Sequence, residues 1–180
     1  MEILKIAVTG NVGAGKTTFI RTISEIEVVD TERRITDEKI ASWKENTTVA
    51  LDFGRLTLNS EQIVHMYGTP GQARFDFMWD IILNKVHAYI LLVAVHRPQD
   101  FRGARRILTY INQRVQIPMI IGLTHTDCEG AWQKDDVILA LGLTNQNIDL
   151  PVVDVNAENP NSVAQCLLTL LEQWQPKPTT

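Results

Sequence analysis

The sequence is short of cysteine, with only Cys128 and Cys166 among 180 residues. Two thiols so far apart exclude a disulfide scaffold and suit a reducing compartment. It also lacks a long hydrophobic run. The longest, "AYILLVAV", has eight residues, far fewer than the ~20 a membrane-spanning helix needs, so it reads as a buried strand. No basic tract stands out, and the formal net charge is −4. A protein held to nucleic acid by phosphate charge shows a basic face, so that class is not expected. "MEILK" has neither the charged-then-apolar order of a leader nor the Met-Gly of myristoylation, and "QPKPTT" has no prenylation box. No membrane anchor is expected.

What is present suits one globular unit. At this length roughly 70% of the unfolded surface can be buried without a metal or disulfide staple. Hydrophobic residues make up 44% and charged residues 21%, both ordinary for a soluble domain. Residues 1–174 read as that single domain and 175–180 as a short tail.

Short β-branched runs alternate with helical spans. "LKIAVTG" precedes a helix starting at Lys16. "TTVALDFGRLTLN" and "EQIVHMYGT" meet at the turn-like "NSEQ" and read as a hairpin. "RFDFMWDIILNKV" carries Phe77, Met78, Ile81, Ile82 and Val86 at helical spacing. Then come the strand "HAYILLVAV", the helix "FRGARRILTYINQRV", the strand "PMIIGLTHT", the helix "WQKDDVILALGL", the strand "LPVVDVNA" and the helix "SVAQCLLTLLEQW". This order predicts an α/β fold: a mostly parallel sheet with one antiparallel edge hairpin and helices on both faces. Residues 24–46 are charged and weakly periodic and read as a long, mobile connection.

Ligands on such sheets collect at the carboxyl ends of the strands. Four clusters fall there: residues 10–18, 68–72, 124–127 and 156–158. The first, "GNVGAGKT", has the spacing G-x-x-x-x-G-K-[ST]. Gly10, Gly13 and Gly15 let the backbone, with Asn11, Ala14 and Thr18, wrap an anion at a helix N-terminus. Lys16 would reach the outer phosphates and Thr17 would ligate Mg²⁺. In "YGTPGQARF", Gly71 would bring an N–H to a terminal phosphate and Gln72 would orient an attacking water. Read alone, the same four residues are a turn. Thr48 is either a strand residue or a ligand of Mg²⁺ and the γ-phosphate.

With the P-loop, a threonine before "VALDF", and "GTPGQARF" in that order, the chain resembles the Ras-like small GTPases over almost its whole length. "TTVALDFGRLTL", "GTPGQ" and "FDFMWD" resemble in particular the bacterial and archaeal members near the MglA group. The resemblance implies a P-loop NTPase with six strands and about five helices. It also implies Mg²⁺-dependent GTP/GDP binding, slow GTP hydrolysis with Lys16, Gly71 and Gln72 at the reacting phosphate, and switches around Thr48 and Gln72. Mg²⁺ would be held by Thr17 and Thr48. As partners it suggests a protein effector and a roadblock-type regulator, with the isolated chain a monomer in the cytoplasm. A nucleotide-binding interaction module with little or no hydrolysis is the alternative.

The sequence departs from the family pattern in three places. Gly68 replaces the aspartate that usually supports Mg²⁺. "THTD" replaces Asn-Lys-x-Asp, keeping only Asp127 to accept from guanine; His125 would lie over the base, and Thr124 is too short to brace the P-loop as asparagine does. "NAE" replaces Ser-Ala-Lys, with Ala157 offering its N–H to the base and Asn156 and Glu158 beside it. Val12 crowds the γ-phosphate position. Trp43, Phe53, Phe77 and Trp79 are either core residues or an effector surface. Arg33, Arg34 and Arg74 are either solvated charges or sources of an arginine finger.

Overall fold

Strands β1 (Glu2–Gly10), β4 (Ala88–Ala94) and β5 (Met119–Thr124) form the middle of the sheet. Every residue of β4 and β5 is buried. That explains why the eight-residue apolar run shows no alternation: both faces of a parallel sheet are covered. The structure is a computed structural model that describes residues 1–28, 51–71, 76–143 and 150–174, and for 76–78 the backbone alone. Strands β2 (Asp52–Thr57), β3 (Gln62–Gly68) and β6 (Val152–Asp154) complete the order β2-β3-β1-β4-β5-β6. All neighbours run parallel except the β2–β3 hairpin. The sheet thus has the expected form, with the antiparallel pair at one edge.

Five helices flank it among the described residues. Helix α1 (Lys16–Ile23) and α5 (Pro160–Gln173) cover one face. Helices α2 (Asp76–Leu83), α3 (Phe101–Asn112) and α4 (Lys134–Ala140) cover the other. Alternate residues of β4 divide between the two cores: Tyr89, Leu91 and Val93 face α2–α4, whereas Ile90 and Leu92 face α1 and α5. Helix α5 starts at Asn159, whose side chain accepts from the Ser162 N–H at 3.1 Å, with Pro160 in the first turn. It buries Val163, Cys166, Leu167 and Leu170, the i, i+3, i+4, i+7 stripe of an amphipathic helix. Each such leucine contributes about 1.5–3 kcal/mol through burial. Burial also pushes the Cys166 thiol up to about 12, so it packs as a small apolar group.

One expected position, Ile81, needs correction, and one open choice, Trp79, is decided. Of the positions read as the apolar stripe of this segment, Ile82 and Val86 are buried, whereas Ile81 is 41% exposed, and Trp79 and Leu83 are buried beside them; the side chains of Phe77 and Met78 lie outside the described residues. Trp79 is 5% exposed and meets Tyr110 edge-on, ring centroids 5.3 Å apart, so it is core and not effector surface. Phe53 is half-buried against His65 and Tyr67. Trp43, Arg33, Arg34, Arg74, the Phe77 side chain and the tail 175–180 lie outside the described residues.

The outer edge of β2 is covered by the chain leaving α1. Glu25 N–H donates to Arg55 O at 2.8 Å. Arg55 N–H donates to Ser24 Oγ at 3.1 Å, and Thr57 donates through N–H and hydroxyl to the Glu25 carboxylate, each at 2.9 Å.

Candidate nucleotide-binding site

The carboxyl ends of β1, β3, β4 and β5 lie side by side because their registers are parallel. From β1 the chain enters the loop of residues 10–15, where Gly13 (φ 80°) and Gly15 (φ 99°) sit in the left-handed region, accessible to glycine at little cost. Lys16 opens α1 and folds back under the loop. Its Nζ donates to Gly10 O at 2.8 Å and Asn11 O at 2.7 Å. Burial lowers the lysine to about 8, against the opposing pull of the Asp52 carboxylate. The cation is therefore already lodged in the ring of peptide groups that would receive phosphate. Asn11 ties this loop to the β4–α3 turn, donating through Nδ2 to Asp100 O at 2.7 Å.

Beside the lysine, the Thr17 hydroxyl donates to the Asp52 carboxylate. Asp52 stands at the start of β2, directly opposite Gly68 on β3. A β-carbon on Gly68 would lie 3.0 Å from the Asp52 β-carbon and 3.3 Å from its Oδ2. The Asp52 side chain thus occupies the space that a side chain at 68 would fill. Sequence reasoning missed Asp52. The signal was a hairpin register that sets position 52 against position 68.

A second loop follows β5. Thr124 is 1% exposed and its hydroxyl donates to Ala14 O in the P-loop at 2.8 Å. This corrects the expectation that threonine is too short to brace the loop: β5 brings Thr124 close enough for the shorter side chain to suffice. His125 Nδ1 lies 3.0 Å from the same hydroxyl. With the hydroxyl proton given to Ala14, the neutral imidazole donates from Nδ1 and leaves Nε2 as acceptor. His125 holds φ 59°, the one non-glycine residue with positive φ among those described, and stacks on His96 with centroids 4.5 Å apart. Its protonation is disfavoured by burial first, then by His96. Asp127 is exposed beyond it.

Ala157 approaches the P-loop from β6: a β-carbon on Gly15 would lie 3.5 Å from the Ala157 β-carbon. Its carbonyl accepts from the Thr22 hydroxyl at 2.6 Å. The Asn156 amide oxygen accepts from the Glu158 N–H at 3.1 Å, holding that turn, and Glu158 is exposed. Thr18 is half-buried in the first turn of α1. Gly71 closes the site from β3. A β-carbon there would strike the Val12 amide nitrogen and come within 2.8 Å of the Asn11 carbonyl carbon, so the turn touches the P-loop backbone. Val12 itself is 57% exposed. Thr48 and Gln72 lie outside the described residues.

A glycine loop wrapped about a half-buried lysine, joined to a second loop carrying an aspartate, at the carboxyl edge of this sheet, defines a P-loop nucleotide-binding protein. The chain belongs to the family described as "Conserved hypothetical ATP binding protein", which matches residues 8–178. It is 34% identical over 124 residues to the Uncharacterized protein MJ1339 of Methanocaldococcus jannaschii, covering 69% of this chain and 71% of that one. Its fold is similar to that of the Arl6 BBS3 small GTPase from Trypanosoma brucei, solved with the nucleotide analogue GppNp. The TM-score is 0.68 and the identity 16%, over 95% of this chain and 96% of that one. No helix among the described residues is long and apolar enough to cross a membrane.

Proposed function

We propose that this protein is a guanine-nucleotide switch that binds GTP and GDP with Mg²⁺, hydrolyses GTP slowly, and is accelerated by a partner. The observation that carries this reading is the hydrogen bond from Thr124 to Ala14. It fixes a base loop and a phosphate loop relative to each other, which a ligand with both a base and a polyphosphate requires. Three residues on, the Asp127 carboxylate is an acceptor suited to the two donors on the edge of guanine. Gly10, Asn11, Gly13, Ala14, Gly15, Lys16, Thr17 and Thr18 would hold the phosphates, with His125, Asn156, Ala157 and Glu158 around the base.

The Thr17 hydroxyl and the Asp52 carboxylate are hard oxygen donors of the kind that suit Mg²⁺. Thr17 and Thr48 would hold the ion, with Asp52 supporting Thr17. Bound Mg²⁺ would neutralise charge on the β- and γ-phosphate oxygens. Gln72 would position water, and Gly71, already against the P-loop, would offer its N–H to the γ-phosphate. Ordering of the segments around Thr48 and Gln72 by that phosphate would create the surface read by an effector and by a roadblock-type regulator.

ATP is the second reading, favoured by the family's description. Denaturing the mildly purified protein and identifying the released nucleotide separates the two. Multiple-turnover phosphate release then tests hydrolysis. Asp127→Asn supplies the sharper check: an amide donor facing guanine donors leaves groups unpaired at about 1–3 kcal/mol, while xanthine nucleotides should bind better. An unchanged preference for GTP over XTP would place the base elsewhere.

A further inference from the structure

We propose that Arg97 is a phosphate clamp, reaching from the β4–α3 turn to hold the α/β-phosphate segment of bound nucleotide against Gly13. The proposal rests on the nucleotide reading above and adds a cation that the P-loop motif does not contain. Arg97 lies on the short connection between β4 and a 3₁₀ turn (Pro98–Asp100). Its backbone is fixed at both ends: Arg97 N–H donates to Ala94 O at 3.2 Å, and Arg97 O accepts from Asp100 N–H at 2.9 Å. Its side chain is aimed by the same turn, with Nε 2.9 Å from Asp100 Oδ2. Asp100 also receives Asn11 on its carbonyl, so one residue both orients the guanidinium and fastens the P-loop.

Beyond that ion pair the guanidinium extends over the loop. Its Nη1 lies 3.0 Å from where a β-carbon on Gly13 would sit. Glycine at 13 is thus what lets the arginine lie on the loop. The charge of Arg97 also acts on His125 in the loop after β5. A nucleotide spanning those loops must carry its inner phosphates past this point. Backbone N–H groups of such a loop cradle the α- and β-phosphates, and a planar guanidinium matches a phosphate edge through two parallel N–H donors. With Nε committed to Asp100, the terminal amino groups form that edge. The side chain is 40% exposed, so an incoming ligand can reach it. An i, i+3 surface pair of this kind contributes little to stability by itself; its effect is to hold the fork at one angle.

The test is a ladder of guanosine, GMP, GDP and GTP competed against labelled GDP, run on wild type, Arg97→Ala, Arg97→Lys and Lys16→Ala, with an adenine ladder in parallel. Arg97→Ala should weaken GDP and GTP equally, by about 10- to 100-fold, weaken GMP less, and leave guanosine unchanged. Arg97→Lys keeps the alkyl stem and the charge but loses the fork, and should fall between. A deficit as large for guanosine as for GDP means a merely structural role and overturns the proposal. So does a deficit confined to GTP, which would place the arginine at the γ-phosphate. Wild-type GDP affinity in Arg97→Ala, with binding lost in Lys16→Ala, also overturns it while leaving the nucleotide site intact. Wild-type affinity in both variants would remove the P-loop reading itself.

Discussion

Replacing Asp52 is the perturbation that most directly probes how this site is built. Its carboxylate accepts the Thr17 hydroxyl proton and sits in the space that a side chain at position 68 would fill. A hydrogen bond to a charged acceptor contributes about 1.5–3 kcal/mol, which is roughly 10- to 150-fold in an equilibrium constant. Asp52→Ala removes charge and acceptor and should show most of that range as weaker Mg²⁺ support of GDP retention. Asp52→Asn keeps an acceptor without the charge and should show the lower end. The assay is release of fluorescent GDP into excess unlabelled GDP, repeated across Mg²⁺ concentrations; the midpoint should move to higher Mg²⁺, with a modest fall in thermal stability from loss of the same bond. Relocating the carboxylate refines the test. Gly68→Asp alone adds a β-carbon 3.0 Å from that of Asp52 and crowds two carboxylates, so it should destabilise the fold. Gly68→Asp with Asp52→Gly should recover part of the Mg²⁺ response. An unshifted midpoint in a folded Asp52→Ala protein would refute the reasoning.

Other consequences can be measured independently. Lys16 stands at about 8 in the empty protein; adjacent phosphate raises that value, so nucleotide binding should take up a proton above this pH and weaken by up to tenfold per pH unit. Calorimetry in buffers of different ionisation enthalpy detects the uptake, and an affinity flat between roughly pH 7 and 9.5 would contradict it. The empty protein should show the opposite trend, gaining stability from about 8 toward the ordinary 10.5, because there the unfolded chain keeps a proton that folded Lys16 has lost. Thr124→Val deletes the brace to Ala14 at nearly constant volume and should cost about 1–3 kcal/mol, read as faster release of bound nucleotide; Thr124→Ser should restore most of it. Gln72→Leu should abolish partner-stimulated turnover with GTP binding intact, and Val12→Gly should raise the basal rate, both followed by phosphate release. Fast hydrolysis by the wild type, insensitive to Gln72→Leu, would remove the role assigned to that glutamine.

The elements were legible where chemistry is local. β4 announced itself by uninterrupted apolar residues, the P-loop by glycine spacing before Lys16, and the hairpin by "NSEQ" between alternating runs. The missed features depend on two distant segments meeting. Asp52 was recoverable in principle: a hairpin turning about Ser60 pairs Thr57 with Ile63 and, continuing, Asp52 with Gly68. The Thr124–Ala14 bond required knowing how far β5 carries position 124 toward the P-loop, which side-chain length alone misjudged. For Trp79 the sequence leaves core and surface both open, because an aromatic at that spacing suits either. The packing of Trp79 on Tyr110 decides for core, and leaves Ile81 outward.

The strap over β2 has a consequence for how this protein can be recognised. An open edge strand invites another chain to extend the sheet, whether a legitimate partner adding a strand or a misfolded neighbour templating on it. Here Arg55 N–H, Arg55 O and Thr57 N–H already have partners in Ser24 and Glu25. Ser24 and Glu25, at the end of α1, thus cap residues 55–57 of this edge. A partner that docks by strand addition along 55–57 must first peel that cap away. Along 55–57, recognition is therefore directed to side chains and loop shape.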